Sequence, residues 1–195
     1  MTIRNATLQD LSAVERLLST NDLPLDGVRE NFGNFLVAED GGAIVGAIGL
    51  EKFDSVALLR SAVVSSEHRG TGVGRELVER ILVRAEEEGL DAVYLLTTTA
   101  EDYFPRFGFS RGTRETVPDA VKASAEFRGA CPDTAVVMER KGAATASRRL
   151  PSAKKPSKDS HQPASSSQHP STLASPALQK GLETSIRPRG PARPR

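Results

Sequence analysis

Tryptophan is absent from the 195 residues, and the chain has one cysteine, Cys131, and two tyrosines. A single thiol excludes an internal disulfide and any paired-cysteine metal site, and no metal is expected. No apolar run approaches the roughly 20 residues of a membrane-spanning helix. The opening stretch MTIRNATLQD also lacks the apolar core of a secretion signal. Together these absences lead us to expect a cytoplasmic protein with no membrane partner.

Neither sign of charge dominates the whole chain, but its two parts differ. Residues 1–140 carry 15 Lys+Arg against 23 Asp+Glu, a net of −8, whereas 141–195 carry 11 against 2, a net of +9. The second part has no aromatic residue and is rich in Ser, Pro and Ala. It cannot bury enough surface to offset its ordering entropy. We read one folded domain, 1–140, followed by a disordered basic tail, 141–195. Such a tail can contact nucleic acid or an acidic partner; a solvated extension without a ligand is the simpler account.

Within the domain, TIRNAT reads as a first strand. Thr7 can cap a helix carrying Leu8, Leu11, Val14, Leu17 and Leu18 on one face. NFLVAED and GAIVGAIGLE form a hairpin turning at Asp40-Gly41-Gly42, and SVALLRSAVVS is a long apolar strand, hence central. Val73, Leu77, Val78, Ile81, Leu82 and Ala85 recur at helical spacing, and AVYLLTTT follows as a strand. A short helix toward Gly108, another opened by Pro118 and running through Phe127, and a last strand TAVVMER complete the series. Antiparallel hairpins mixed with a strand–helix–strand crossover give an α+β (mixed α/β) class.

Between the central strand and the long helix stands EHRGTGVGR, with glycines at 70, 72 and 74. A glycine-rich turn opening a helix is an anion site, because the first helical amides lack partners and the helix dipole is positive there. Arg69 and Arg75 flank it. A nucleotide-hydrolysing P-loop needs Gly-Lys-Ser/Thr, but Gly74 is followed by Arg75-Glu76. The dinucleotide fingerprint needs Gly-x-Gly-x-x-Gly after a first strand, and this spacing and position differ. A tight turn without a ligand is the remaining alternative.

Arg69-Gly70-Thr71-Gly72-Val73-Gly74 does fit Arg/Gln-x-x-Gly-x-Gly/Ala after an apolar strand. The domain therefore resembles the GNAT superfamily of N-acetyltransferases along nearly all of 1–140. YLLTTTAEDYFPRFGF is similar to the acetyltransferase domain of bacterial N-acetylglutamate synthase, and more so to the free-standing arsenic-resistance N-acetyltransferases. GLEKFDSVALLRSAVV and VPDAVKASAEFRGACPDTAVVM fit the latter. The resemblance implies a central mixed sheet with flanking helices, and acetyl-CoA as co-substrate. The pyrophosphate would lie on the amides of residues 69–75, and the thioester carbonyl at the backbone near Val64. The kinase-like domain of bacterial acetylglutamate synthase is missing, which argues against arginine biosynthesis.

Direct acetyl transfer needs a base for the amine, donors for the oxyanion and an acid for the thiolate, but no protein nucleophile, so Cys131 is not required. By resemblance, the oxyanion donor is the backbone N–H near Val64. Glu51, at the end of the strand beside the central one, is the expected base, unless it is a solvated strand-end charge. Many relatives carry the tyrosine acid four residues before the glycine of GF. Here Phe104 stands there and Tyr103 one residue earlier, which leaves Tyr103 or solvent as the acid. Arg60, Arg106 and Arg128 can hold a carboxylate or oxyanion. Arg60, inside an apolar strand, needs a partner, and an ion pair with Glu51 is its alternative. Thr97, Thr98 and Thr99 bring hydroxyls to the same edge.

The expected substrate is a small amine, either an amino acid such as glutamate or a toxic arsenic- or phosphorus-containing analogue, and a homodimer is compatible with it. CPDT replaces the basic residues that end the synthase domain, which counts against glutamate itself. Two rivals stand: acetylation of a peptide amine, and a non-catalytic coenzyme-fold protein that binds through its basic tail.

Overall fold

The computed structural model describes residues 1–142. The stretch read as a disordered tail lies outside the described residues, apart from Lys141, which ends the last strand, and Gly142. Among the described residues, β1 (Thr2–Asn5), β2 (Phe35–Asp40), β3 (Ala43–Phe53), β4 (Val56–Val64), β5 (Ala92–Thr97), β6 (Ser110–Arg111) and β7 (Val136–Lys141) form one sheet. Its order is β1-β2-β3-β4-β5-β7-β6. Neighbours are antiparallel except β4 and β5, joined by the crossover helix α2 (Val73–Glu87). The fold class is thus mixed α+β, with β4 at the centre as its apolar run predicts.

Alternation along the strands sorts the core onto two faces. Leu36, Ile48, Leu50 and Leu59 pack with Leu77, Val78 and Ile81 of α2. Phe35, Val37, Ala47 and Val63 pack with Leu11, Val14 and Leu18 of α1 (Leu11–Thr20). A third cluster joins Leu58, Tyr94 and Val137 to Val121 of the short helix α3 (Asp119–Lys122).

The structure differs from the sequence expectation at three places. α1 begins later than Thr7 suggests, because Leu8–Asp10 is a 3₁₀ turn. Thr7 N–H donates to Asp10 Oδ2 at 2.8 Å, and Leu8 points outward, 81% exposed. The helix expected from Pro118 through Phe127 stops at Lys122, and a wider π-type turn, Glu126–Ala130, follows. The edge strand β6 was not anticipated, since its two residues are too short to leave a period.

Within β4 the register against β3 slips: Ala47 faces Val63, but Gly49 faces Arg60. Ser61 and Ala62 together oppose Ile48, a β-bulge, with Ser61 at φ 56. The extra residue changes the strand's parity. Before it, odd-numbered Ala57 and Leu59 face α2; after it, Val63 faces α1 and Val64 packs on the α2 side.

Candidate active site

β4 and β5 pair over only three positions, Val56–Leu58 against Ala92–Tyr94. Past Leu58 they diverge, and a cavity of about 710 Å³ fills the gap. Val64, Gly74, Val78 and Tyr103 line one end, Arg60, Ser61, Glu126 and Cys131 line the other, and the Asp22–Pro24 loop contributes as well.

At the first end, Gly70 and Gly72 take left-handed φ of 78° and 95°, which side-chain-bearing residues adopt only with strain. A Cβ built on either would meet nothing within 4 Å, so the space above the turn is open. Gly72 is the N-cap of α2 with no side-chain cap, so the amides of Val73, Gly74 and Arg75 head an uncapped helix, whose dipole favours an anion. Such a cradle suits an anion in general. The flanking cations are not idle: Arg69 donates from Nε to Val64 O at 3.2 Å and from Nη2 to Asn21 Oδ1, and Arg75 pairs with Glu79 at 2.7 Å. Thr71 Oγ1 donates to His68 O at 2.7 Å, bracing the turn from within. Ser65 N–H donates to Val45 O at 2.8 Å. By alternation the Val64 amide therefore points away from β3, into the gap.

Tyr103 and Phe104 have separate tasks. Phe104 is buried in the core on the α2 side, edge-on to Phe109. Tyr103 is half-buried against Phe104 and Phe107, with the Arg106 guanidinium 4.6 Å above its ring. Its hydroxyl lies 3.6 Å from where a Gly74 Cβ would stand, so it reaches the glycine turn. Burial raises its pKa in spite of Arg106 and Arg75.

At the opposite end Arg60 is enclosed, its side chain 0% exposed. Nη1 donates to Glu51 Oε2 at 2.8 Å, Nη2 donates to the Asp26 carbonyl, and Nε lies 3.6 Å from Glu126 Oε1 without a hydrogen bond. A Cβ on Gly27, at φ 75°, would fall 2.6 Å from Nη1, so the loop after α1 closes tightly over the guanidinium. Glu51, the expected base, is thus bonded to Arg60 and is not among the lining residues. Burial pushes the Glu126 carboxyl up to about 7, against the pull of Arg60, and pushes the Cys131 thiol up to about 11.

Thr97, Thr98 and Thr99 line the cavity, with Thr97 Oγ1 taken by the Ala100 amide at 2.9 Å. Arg106 and Arg128 are exposed and do not line it. His68, beside the turn, sits 2.9 Å from Ser65 Oγ through Nδ1. Sequence reasoning missed Glu126 and Ser61: neither belongs to a spaced motif, and only the fold brings 51, 60 and 126 together. Among the described residues no group of three His, Cys, Asp or Glu could hold a metal ion, and no helix is long and apolar enough to cross a membrane.

Residues 4–109 match the acetyltransferase (GNAT) family. The chain belongs to the GNAT family of N-acetyltransferases. An N-acetyltransferase of Chlorobaculum tepidum is 29% identical over 146 residues, 69% of this chain and 94% of that protein. The amino-acid acetyltransferase of Ralstonia nicotianae is 29% identical over 128 residues, 60% of this chain and 28% of that enzyme. N-Acetylglutamate synthase from Neisseria gonorrhoeae, solved with coenzyme A and N-acetyl-glutamate, superposes with a TM-score of 0.63 at 19% identity over 72% of this chain and 34% of the synthase. At that identity the likeness is one of fold. The GNAT domain thus spans about a third or less of the latter two proteins.

Proposed function

We propose that this GNAT domain transfers the acetyl group of acetyl-CoA directly to the amino group of a small amino-acid-like substrate, glutamate or an arsenic- or phosphorus-containing analogue. The observation that carries the reading is the cavity that joins the open glycine turn to an enclosed charged end across the β4–β5 gap. The relation to an amino-acid acetyltransferase supports the substrate class.

The bound co-substrate supplies a thioester already activated for acyl transfer. The amides of Val73, Gly74 and Arg75 hold its pyrophosphate, with Gly70 and Gly72 keeping the approach clear. The Val64 N–H, turned into the gap, stabilises negative charge on the thioester oxygen as the amine attacks. Tyr103, whose phenol carries its proton at neutral pH, donates to the departing sulfur. Thr97 and Thr98 orient the acceptor from the rim. Arg60, occupied by Glu51 and Asp26, acts as a fixed counter-charge behind the acceptor.

Free-thiol release from acetyl-CoA by the full chain tests the reading. The amines are glutamate, its phosphinic and arsonic analogues, a polyamine, an aminoglycoside and a lysine peptide. Selective turnover of glutamate or its analogues supports the proposal; the two analogues alone would make the role detoxification. Turnover confined to the peptide would overturn it in favour of protein acetylation.

A further inference from the structure

The transfer as described so far leaves one buried acid unused. Glu126, 5% exposed, stands in the π-type turn at the enclosed end of the cavity. Its described partners are weak for a carboxylate: the Cys131 thiol, and Arg60 Nε at 3.6 Å. Among the described residues Arg60 is the cation that faces it from the sheet, and both its terminal nitrogens are committed elsewhere, to Glu51 and Asp26 O. Glu51 adds a second negative charge behind Arg60, and Arg114 acts on neighbouring Cys131. The cluster of Glu51, Arg60 and Glu126 therefore offers a cationic ligand an under-satisfied acceptor that faces the cavity. Glu51, by contrast, is tied up behind the guanidinium.

We propose that Glu126 receives the acceptor, holding its ammonium and accepting the proton that must leave before the nitrogen attacks. The inference rests on the acetyl-transfer reading and adds the residue that recognises and activates the amine. One proton passes from the ammonium to a Glu126 oxygen, directly or through one water. The freed nitrogen pair forms the N–C bond as the C–S bond breaks, the Tyr103 proton goes to sulfur, and the acylated nitrogen sheds its second proton to solvent. Solvent then reprotonates Tyr103 and takes the proton from Glu126. The elevated Glu126 pKa, about 7, suits this task, since a base poised near the working pH is both available and strong enough. Desolvation is its main cause and Glu51 adds to it, while Arg60 and Cys131 oppose it.

The test is the pH dependence of kcat/KM, which reports the free enzyme, for the wild-type full chain, Glu126→Gln and Glu126→Asp, with the best amine of the panel. Expected for wild type is a limb rising tenfold per pH unit up to a midpoint near 7. Glu126→Gln should lose that limb and fall about 10²- to 10⁴-fold on the plateau, with coenzyme affinity unchanged. Glu126→Asp should keep the limb at a reduced rate. A glutamine variant that keeps both limb and plateau within about threefold overturns the proposal.

If wild type turns over no amine, the amino-acid reading has failed, and Glu126 is judged separately by carboxyl ¹³C NMR with coenzyme A and methylammonium present. A midpoint near 7 that moves down on adding methylammonium upholds the ammonium site. A midpoint that does not respond removes it.

Discussion

The two ends of the cavity are made of different materials. At the glycine turn the groups we propose to work belong to the backbone: helix amides, the Val64 N–H and two left-handed glycines. At the other end they are side chains, Arg60, Glu51 and Glu126, drawn from β3, β4 and the turn after α3. A backbone site tolerates changes of side chain but not of conformation. A side-chain cluster has the opposite sensitivity, and the two should therefore fail in different ways.

The largest expected effect is on the charged end. Arg60→Ala leaves the buried Glu126, the partly buried Glu51 and the Asp26 carbonyl without their cation. We expect about 3–5 kcal/mol lower unfolding free energy, read as a shift of the urea midpoint; a change below about 1 kcal/mol would mean that water already reaches the cluster.

Next comes the proposed acid at the backbone end. Tyr103→Phe should lower kcat by about 100-fold, near the low end for general acid catalysis because a thiolate leaves readily, while coenzyme affinity stays unchanged in titration calorimetry. An unchanged kcat would give the proton to solvent.

A smaller effect is expected at Gly72. Alanine there must hold a φ near 95°, a strain of about 1–3 kcal/mol, so coenzyme A should bind about tenfold more weakly at little cost to the rest of the fold. Full affinity would show that the turn relaxes without harm to its amides.

The smallest lies outside the cavity and serves as a reference. Arg4 bonds Asp10 through two nitrogens at 2.7 and 2.8 Å and holds its carboxyl well below the usual range. A depressed folded pKa gives stability that is present above the unfolded value, 3.8, and lost as pH falls through the folded one. Arg4→Met should cost roughly 1 kcal/mol at pH 7, and its difference from wild type should shrink below about pH 4. A constant difference at all pH values would place the Arg4 contribution in packing.

The same contrast explains what was legible in the sequence. Backbone sites impose local rules, so Arg69 through Gly74 could be read directly, as could the helix that follows and the central strand before it. Tyr103 was legible as a candidate, but its orientation was not, because which of two adjacent aromatics turns toward Gly74 depends on where Phe109 and Phe107 pack. Arg60 drew notice as a cation in an apolar strand, and Glu51 was named as its alternative partner. Glu126 left no trace, since its charged neighbours Arg60 and Glu51 are 66 and 75 positions away in the chain. The bulge at Ser61 is equally silent, since a one-residue register slip depends on what β3 presents opposite.

The short pairing of β4 with β5 has a mechanical consequence. Three rungs at one end are all that joins β1–β4 to β5, β7 and β6 within the sheet, as two leaves share a short seam. A molecule lying in the open end touches both leaves and stands in for the missing rungs. Occupancy should therefore stiffen the domain as well as load it, and the melting temperature should climb with coenzyme concentration by the ordinary law of mass action. Amides along the free edges of Leu59–Val64 and Leu95–Thr97 should then be the first to slow their hydrogen exchange.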